Sequence, residues 1–339
     1  MSSSGAGSEI KAEPTRVLRV GVIGAGVMGT NHARVLASLP DVSLVGVVDP
    51  LPAHRNRATE CTGCRAFAEL DALVAQGVDA VTIAAPTHLH HEIALACIAQ
   101  GIHVMVEKPI ASSVEEGREI VAAARRTGVT LMVGHVERFN PAVPAIKQAL
   151  AGEDILSIAI TRVGPFPPRM SNVGVVIDLA VHDIDLIRWF TESDIVEVQP
   201  QLSSAVAERE DIALLQFRTA SGVLAHINTN WLTPFKARSV TVATRGKYVM
   251  GDLLTRQVTE CFGFKPDGSY SMRHLSVGHD EPLRAELLAF LHAVRSGTTP
   301  AVTGDEGVAS LEIATRCLDI SARPAAVPAL RKGPRRVVG

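Results

Sequence analysis

The chain has 339 residues, 47% of them hydrophobic and 20% charged, with a formal net charge of −2. That is the composition of a folded globular protein long enough for two domains, and it excludes a disordered chain. The near-neutral balance leaves no electrostatic footprint for nucleic acid or an anionic membrane, and no uncharged apolar run approaches a bilayer span.

Residues 1–15, MSSSGAGSEIKAEPT, lack the basic-then-apolar pattern of a signal peptide and read as a flexible tail, and a cytoplasmic location is expected. A first strand is predicted over Val17–Ile23, an apolar, β-branched run of the kind buried in parallel sheets. It turns through Gly24-Ala25-Gly26-Val27-Met28-Gly29, a complete G-x-G-x-x-G, into a helix over Thr30–Leu39. A second strand, Ser43–Val48, ends at Asp49, twenty residues after Gly29. Strand, glycines, helix, strand and acid fall in the register of a dinucleotide site. Gly24 permits the tight turn, Gly26 lets a pyrophosphate approach the backbone, and Gly29 lets helix and strand pack closely. Free N–H groups at the helix start attract the phosphates. The Asp49 carboxylate suits the ribose hydroxyls of NAD and repels the 2′-phosphate of NADP. The alternative is a solvated acid at a strand end.

The alternation continues. A helical stretch is expected at Arg55–Glu60, a short helix at Phe67–Gln76 and a buried strand at Asp79–Ala85. Pro86-Thr87-His88-Leu89-His90-His91 then opens a helix over Glu92–Gln100. A strand over His103–Val106 runs into Glu107-Lys108-Pro109, and helix Val114–Thr127 with strand Thr130–Val133 completes the unit. Repeated strand–helix units with short connections predict a doubly wound parallel sheet, with ligands beyond the strands' carboxyl ends, where Gly24, Asp49, Pro86, Lys108 and His135 lie. Cys61 and Cys64 form a C-x-x-C with no second pair to complete a zinc site, and five scattered cysteines fit a reducing compartment, so free thiols are expected.

From about Ile155 long β-rich runs appear: Ile155–Val163, Ile195–Ala207, Ile212–Phe217, Val223–Trp231, Ser239–Thr244 and Tyr248–Leu254. One helix, Val176–Phe190, interrupts them, and helices at Leu283–Arg295 and Asp305–Ile320 close the chain. This predicts an α+β domain on an open, mostly antiparallel sheet whose free face calls for a cover, often another subunit. The expected divisions are a tail over 1–15, a nucleotide-binding Rossmann domain over 16–138, a substrate-binding and oligomerisation domain over 139–324, and a tail over 325–339.

Lys108, at a strand's carboxyl end, either presents an ammonium to the nicotinamide end of the cleft or simply caps the strand at the surface. Asp178 and His182 lie four apart on one helix and share a face. In their apolar setting three readings compete: a general base with its orienting carboxylate, two metal ligands, or a structural pair. The metal reading lacks a clear third ligand. In the His88–His91 cluster, consecutive histidines point in different directions, which argues against a metal, and His90 is expected to cap or pack near the cofactor.

These elements together resemble the glucose–fructose oxidoreductase and inositol dehydrogenase (Gfo/Idh/MocA) family. The resemblance runs from the Gly24 turn through Pro86-Thr87-His88-Leu89-His90, Gly101-Ile102-His103-Val104 and Glu107-Lys108-Pro109 to Asp178 and His182 in D-x-x-x-H. It implies that Lys108, Asp178 and His182 line the site where hydride moves between a sugar or polyol carbon and a nicotinamide, with His182 taking the proton. It also implies that Gly24, Gly26, Val27, Met28, Gly29, Asp49, Pro86, Thr87, His90, Glu107 and Lys108 hold NAD. Within the family, Gly134–Pro141, Arg162–Arg169 and Ile177–Asp185 resemble the UDP-N-acetylglucosamine 3-dehydrogenase branch. His135, Arg138, Asn140, Arg162 and Arg169 become candidate substrate residues, the arginines suiting a diphosphate. A homodimer or homotetramer through the C-terminal sheet is expected. The alternatives are a dehydrogenase or ketoreductase of another sugar or polyol, inositol-like, and a catalytically silent NAD-binding regulator.

Overall fold

The computed structural model describes residues 16–167 and 173–322, and the chain divides into two compact units. Unit 1 is built on a six-stranded parallel sheet of β1 (Leu18–Ile23), β2 (Val42–Val48), β3 (Ala66–Phe67), β4 (Ala80–Ile83), β5 (His103–Glu107) and β6 (Leu131–Gly134), in the order β3-β2-β1-β4-β5-β6. The strands are apolar on both faces because helices cover both: Val20, Val22, Val81, Ile83, Val104, Val106 and Val133 are fully buried. Each such side chain contributes about 1.5–3 kcal/mol by leaving water. The strand order reverses between β1 and β4, which pair with Val22 opposite Thr82. A crevice therefore opens beyond their carboxyl ends.

Helices α1 (Val27–Ala37), α2 (Pro52–Thr62), α3 (Leu70–Val74), α4 (His90–Ala99) and α5 (Val114–Thr127) link these strands. α5 has the clearest local code. Ser113 and Glu116 cap its start reciprocally, acids fill its first turn and arginines its last, and Gly128 ends it in the left-handed region. The helix expected over Phe67–Gln76 is in fact β3 followed by the short α3. Arg65 and Phe67 carbonyls accept the Val47 and Asp49 N–H groups, so this segment extends the β2 edge instead of coiling. After β6 come a 3₁₀ turn, Val136–Phe139, and α6 (Ala142–Ala149). Residues 273–311, which the sequence grouped with the second domain, cluster with unit 1. They include α8 (Pro282–Ser296), which packs against α1 and the Val136–Phe139 turn.

Unit 2 centres on strands β7 (Ile155–Pro165), β8 (Ile195–Ser203), β9 (Ile212–Thr219), β10 (Leu224–Asn230), β11 (Leu232–Thr244) and β12 (Lys247–Asp252). With β13 (Gln257–Phe262) and β14 (Ser271–Leu275) the sheet order is β14-β13-β12-β11-β7-β10-β9-β8. The described pairings are antiparallel except β10 on β7, which run parallel. β9 alternates cleanly: Ala213, Leu215 and Phe217 are buried, whereas Leu214, Gln216 and Arg218 face out. Helix α7 (Val181–Thr191) lies on the buried face and is preceded by one wide π turn, Val176–Ala180; α9 (Gly304–Ala322) closes the described chain. No helix among the described residues is long and apolar enough to cross a membrane.

Candidate active site

In unit 1 the glycine turn is fixed by sterics. Gly24 has φ +88°, and a Cβ on it would stand 2.6 Å from the Ala84 and Ala85 backbone, while one on Gly29 would collide with the Gly24 carbonyl. Gly26 faces open space, with nothing within 4 Å of where its Cβ would be, so a phosphate can reach the backbone there. α1 begins with no side-chain cap and no acid in its first turn, which leaves its amides for an anion. Val27 and Met28 are exposed beside it. These features fit the diphosphate of a dinucleotide.

Asp49 is buried at the end of β2, and the protein already holds it. Its Oδ2 accepts the Ala25 N–H at 2.8 Å and lies 3.1 Å from His54 Nδ1, while its Oδ1 accepts the Leu51 N–H at 2.8 Å. A carboxylate offers about four acceptor positions. A ribose hydroxyl would therefore share Asp49 with, or take the place of, His54. The sequence reading missed His54 because its link to Asp49 forms only when Pro52 starts α2 and brings the ring back over the strand end.

Pro86 and Thr87 form the turn after β4, and His90 ties that turn to the next one. Its ring nitrogens lie 2.9 Å from the Ala85 and Pro109 carbonyls, and burial, against those carbonyl contacts, holds its pKa below the ordinary value. A neutral imidazole carries one N–H, so it serves one carbonyl at a time. The strand ends bearing Ala85 and Glu107-Lys108-Pro109 are thus clamped together, with the Lys108–Pro109 bond cis. Lys108 is half-buried. The preceding Glu107 is buried and its Oε1 lies 2.9 Å from Nε2 of the fully buried His32. Burial alone would raise the Glu107 carboxyl, but the His32 hydrogen bond and charge, with Lys108, outweigh it and hold the group below the usual carboxylate range.

In unit 2, Asp178 stands in the π turn and His182 in the first turn of α7, and His182 is buried. Single π turns within helices frequently mark functional sites. Glu210, which the sequence reading did not single out, anchors this start: its backbone carbonyl accepts the Val175 N–H at 2.9 Å and its side chain the Val176 N–H.

The arginines offered for a diphosphate are employed otherwise. Arg162 is 2% exposed and grips Asp183 with Nε and one terminal nitrogen, the shortest bond being 2.7 Å. Arg138 is 5% exposed and donates to Glu306 at 2.8 Å and to the Ala301 carbonyl. Both charges have an acidic partner inside their own unit. Arg169 lies outside the described residues. Asn140 caps the α6 start through the Ala142 N–H, and His135 is buried at the head of its 3₁₀ turn. All five cysteines are free thiols.

A parallel sheet with this glycine turn and open helix start, followed by an open sheet of its own, defines a Rossmann-type oxidoreductase. The comparisons agree. Residues 18–135 match the oxidoreductase family with an NAD-binding Rossmann fold, and residues 157–249 match the GFO/IDH/MocA C-terminal domain. The chain belongs to the Gfo/Idh/MocA oxidoreductase family. Its relatives include the UDP-N-acetylglucosamine 3-dehydrogenase of Acidithiobacillus ferrooxidans, 32% identical over 240 residues, 70% of this chain and 74% of that protein. The inositol 2-dehydrogenase of Rubrobacter xylanophilus is 31% identical over 89% of this chain and 90% of its own. A crystal structure of the A. ferrooxidans enzyme superposes with a TM-score of 0.85 at 27% identity, over 91% of this chain and 99% of the other.

Proposed function

We propose that this enzyme oxidises a sugar hydroxyl to a ketone with NAD, the hydroxyl being that on C3 of UDP-N-acetylglucosamine. The observation that carries the reading is the 32% identity to a UDP-N-acetylglucosamine 3-dehydrogenase in a chain that carries Lys108, Asp178 and His182. NAD, when bound, supplies the hydride acceptor. His182 takes the hydroxyl proton as the C3–H bond gives up hydride, so the oxygen closes to a carbonyl with no charge left on it. Lys108 holds the hydroxyl and stabilises the oxyanion as it develops, and Asp178 orients the imidazole or the sugar. Asp49 selects NAD, because a 2′-phosphate would bring two negative charges against its carboxylate. The outward face of the unit 2 sheet, where Leu214 and Leu224 are each 50% exposed, is read as the seat of a second copy in a cytoplasmic homodimer or homotetramer.

A second reading, oxidation of a free inositol, is favoured by the longer match to the R. xylanophilus enzyme. A panel of UDP-sugars, free sugars and inositols, each offered with NAD and followed by NADH absorbance, separates the two. The reading expects turnover of UDP-N-acetylglucosamine above the others. Robust activity on inositol with none on UDP-sugars would overturn the substrate, and NAD binding without turnover of any sugar would leave a silent regulator.

A further inference from the structure

The helical segment that carries Asp178 and His182 has no cap of its own. The leading N–H groups of a helix lack partners inside it, and here no side chain at the N-cap position accepts one. Glu210, 34 residues further along the chain, fills that place from outside. Its backbone carbonyl accepts the Val175 N–H at 2.9 Å and its Oε1 accepts the Val176 N–H at 3.3 Å, after which the Asp178 N–H donates to the Gly174 carbonyl at 3.0 Å. The carboxylate also lies at the positive end of the helix dipole.

Gly174 is fitted to the same carboxylate. A Cβ on it would stand 1.9–2.2 Å from the Glu210 carboxyl atoms, so any other residue there would push the acid off the Val176 N–H. Glu210 in turn sits on a fixed platform. The next residue, Asp211, is 0% exposed; its N–H donates to the Ser203 carbonyl and its own carbonyl accepts the Trp231 N–H, both at 3.0 Å. Its carboxylate accepts the N–H groups of Ala205, Val206 and Ala207 at 2.6–2.9 Å.

On the far side of the wide turn, the buried Arg162 of β7 grips Asp183 of α7. The Val176–Ala180 turn, with Asp178 inside it and His182 two residues beyond, is thus spanned by two anchors. An isolated π turn is a rare conformation. Pinning on both sides keeps it from winding back into a regular α-turn, which would rotate Asp178 relative to His182.

We propose that Glu210 is a positioning residue: by accepting the Val176 N–H it holds the start of the wide turn and thereby sets where Asp178 and His182 stand. This rests on the reading of those two as the groups that act on the sugar hydroxyl. Glu210 acts only through the turn that carries them, and Gly174 leaves room for it.

The test compares the full-length wild type with E210Q, whose amide oxygen can still accept the Val176 N–H, E210A, which has no acceptor, and G174A, which displaces the carboxylate. Turnover of whichever alcohol in the substrate panel reacts, NADH affinity and amide hydrogen exchange over residues 174–182 are measured on each. E210A and G174A should lose roughly ten- to a hundredfold in kcat, the scale of a misplaced catalytic group, with NADH affinity kept within about threefold. E210Q should stay within about threefold of wild type in both. Exchange over 174–182 should quicken in E210A and G174A and not in E210Q. G174A combined with E210A should be no slower than E210A, since the added methyl then has no carboxylate to displace. Wild-type kcat or unchanged exchange in E210A, E210Q as impaired as E210A, or losses that add in the double variant would overturn the proposal. Should one alanine variant fail to fold, the other decides together with E210Q. The exchange readout needs no sugar. A wild type that oxidises no alcohol while exchange responds as stated would therefore sink the proposed reaction and leave Glu210 as the clamp on the turn.

Discussion

Asp49 Oδ2 accepts the N–H of Ala25 at 2.8 Å, so the acid that ends β2 and the glycine turn that ends β1 form one hydrogen-bonded unit. Changing Asp49 should loosen the phosphate turn as well as the ribose contact. Asp49→Ala removes the acceptor for two backbone N–H groups and His54, each charge-assisted bond contributing about 1.5–3 kcal/mol. NADH affinity should fall roughly ten- to a hundredfold, and the preference for NADH over NADPH should narrow. Titration of both nucleotides by fluorescence checks this, and unchanged affinities would refute the role given to Asp49.

The Arg162–Asp183 pair ties β7 to α7, the helix that carries His182, with side chains 3% and 0% exposed. Removing one partner takes this ion pair away from a charge that stays buried. Arg162→Met should therefore cost about 3–5 kcal/mol in urea unfolding, and the double change Arg162→Met with Asp183→Leu should recover most of it. A single substitution costing under about 1 kcal/mol would mean the charge is reached by water.

Glu306 is the partner of the buried Arg138. Burial raises its carboxyl, but the Arg138 charge and the Thr303 and Arg138 hydrogen bonds win and hold its pKa below the ordinary value. A depressed carboxylate stabilises the fold above its unfolded pKa, and that stability is lost as pH falls through the folded value. Glu306→Gln should thus be less stable than wild type by about 1.5–3 kcal/mol at pH 7. The gap should close as the pH drops below roughly 4.5. Thermal unfolding of both proteins across that range gives the answer, and a pH-independent gap would contradict the assignment.

Much of unit 1 was legible because its signals are local. The Gly24 turn, the capped α5 and the continuous apolar strands are each written within a dozen residues. α6 escaped notice because Pro144 sits inside its eight residues and it follows Pro141. β14, Ser271–Leu275, escaped because it has no buried face and hence no alternation to read. The same reasoning explains the site. Lys108 and the D-x-x-x-H pair can be singled out by strand-end position and helical spacing, and receive a role only through the family resemblance, whereas His32, His54 and Glu210 make their contacts with other segments. For the arginines the converse holds: their charge is visible in sequence, whereas their partners, the buried Asp183 and the half-buried Glu306, are not.

The proposed chemistry predicts losses in turnover rather than in stability. His182→Ala should lower kcat roughly a hundred- to ten-thousandfold, the usual cost of a positioned base, with NADH affinity little changed. Lys108→Met should lower kcat by a similar amount, and neither change should shift the unfolding midpoint enough to explain it. Steady-state kinetics beside NADH titration separates the two quantities. Wild-type turnover in both variants would remove them from the reaction.

The central claim is hydride transfer from C3 of a UDP-linked amino sugar to the nicotinamide, and isotopic labelling tests it most directly. UDP-N-acetylglucosamine carrying deuterium at C3 should yield NADH bearing that deuterium at C4, together with a 3-keto sugar nucleotide, whereas a label at C2 should not reach the NADH. Unlabelled NADH from the C3-deuterated substrate, or no NADH while an inositol is oxidised, would contradict the account.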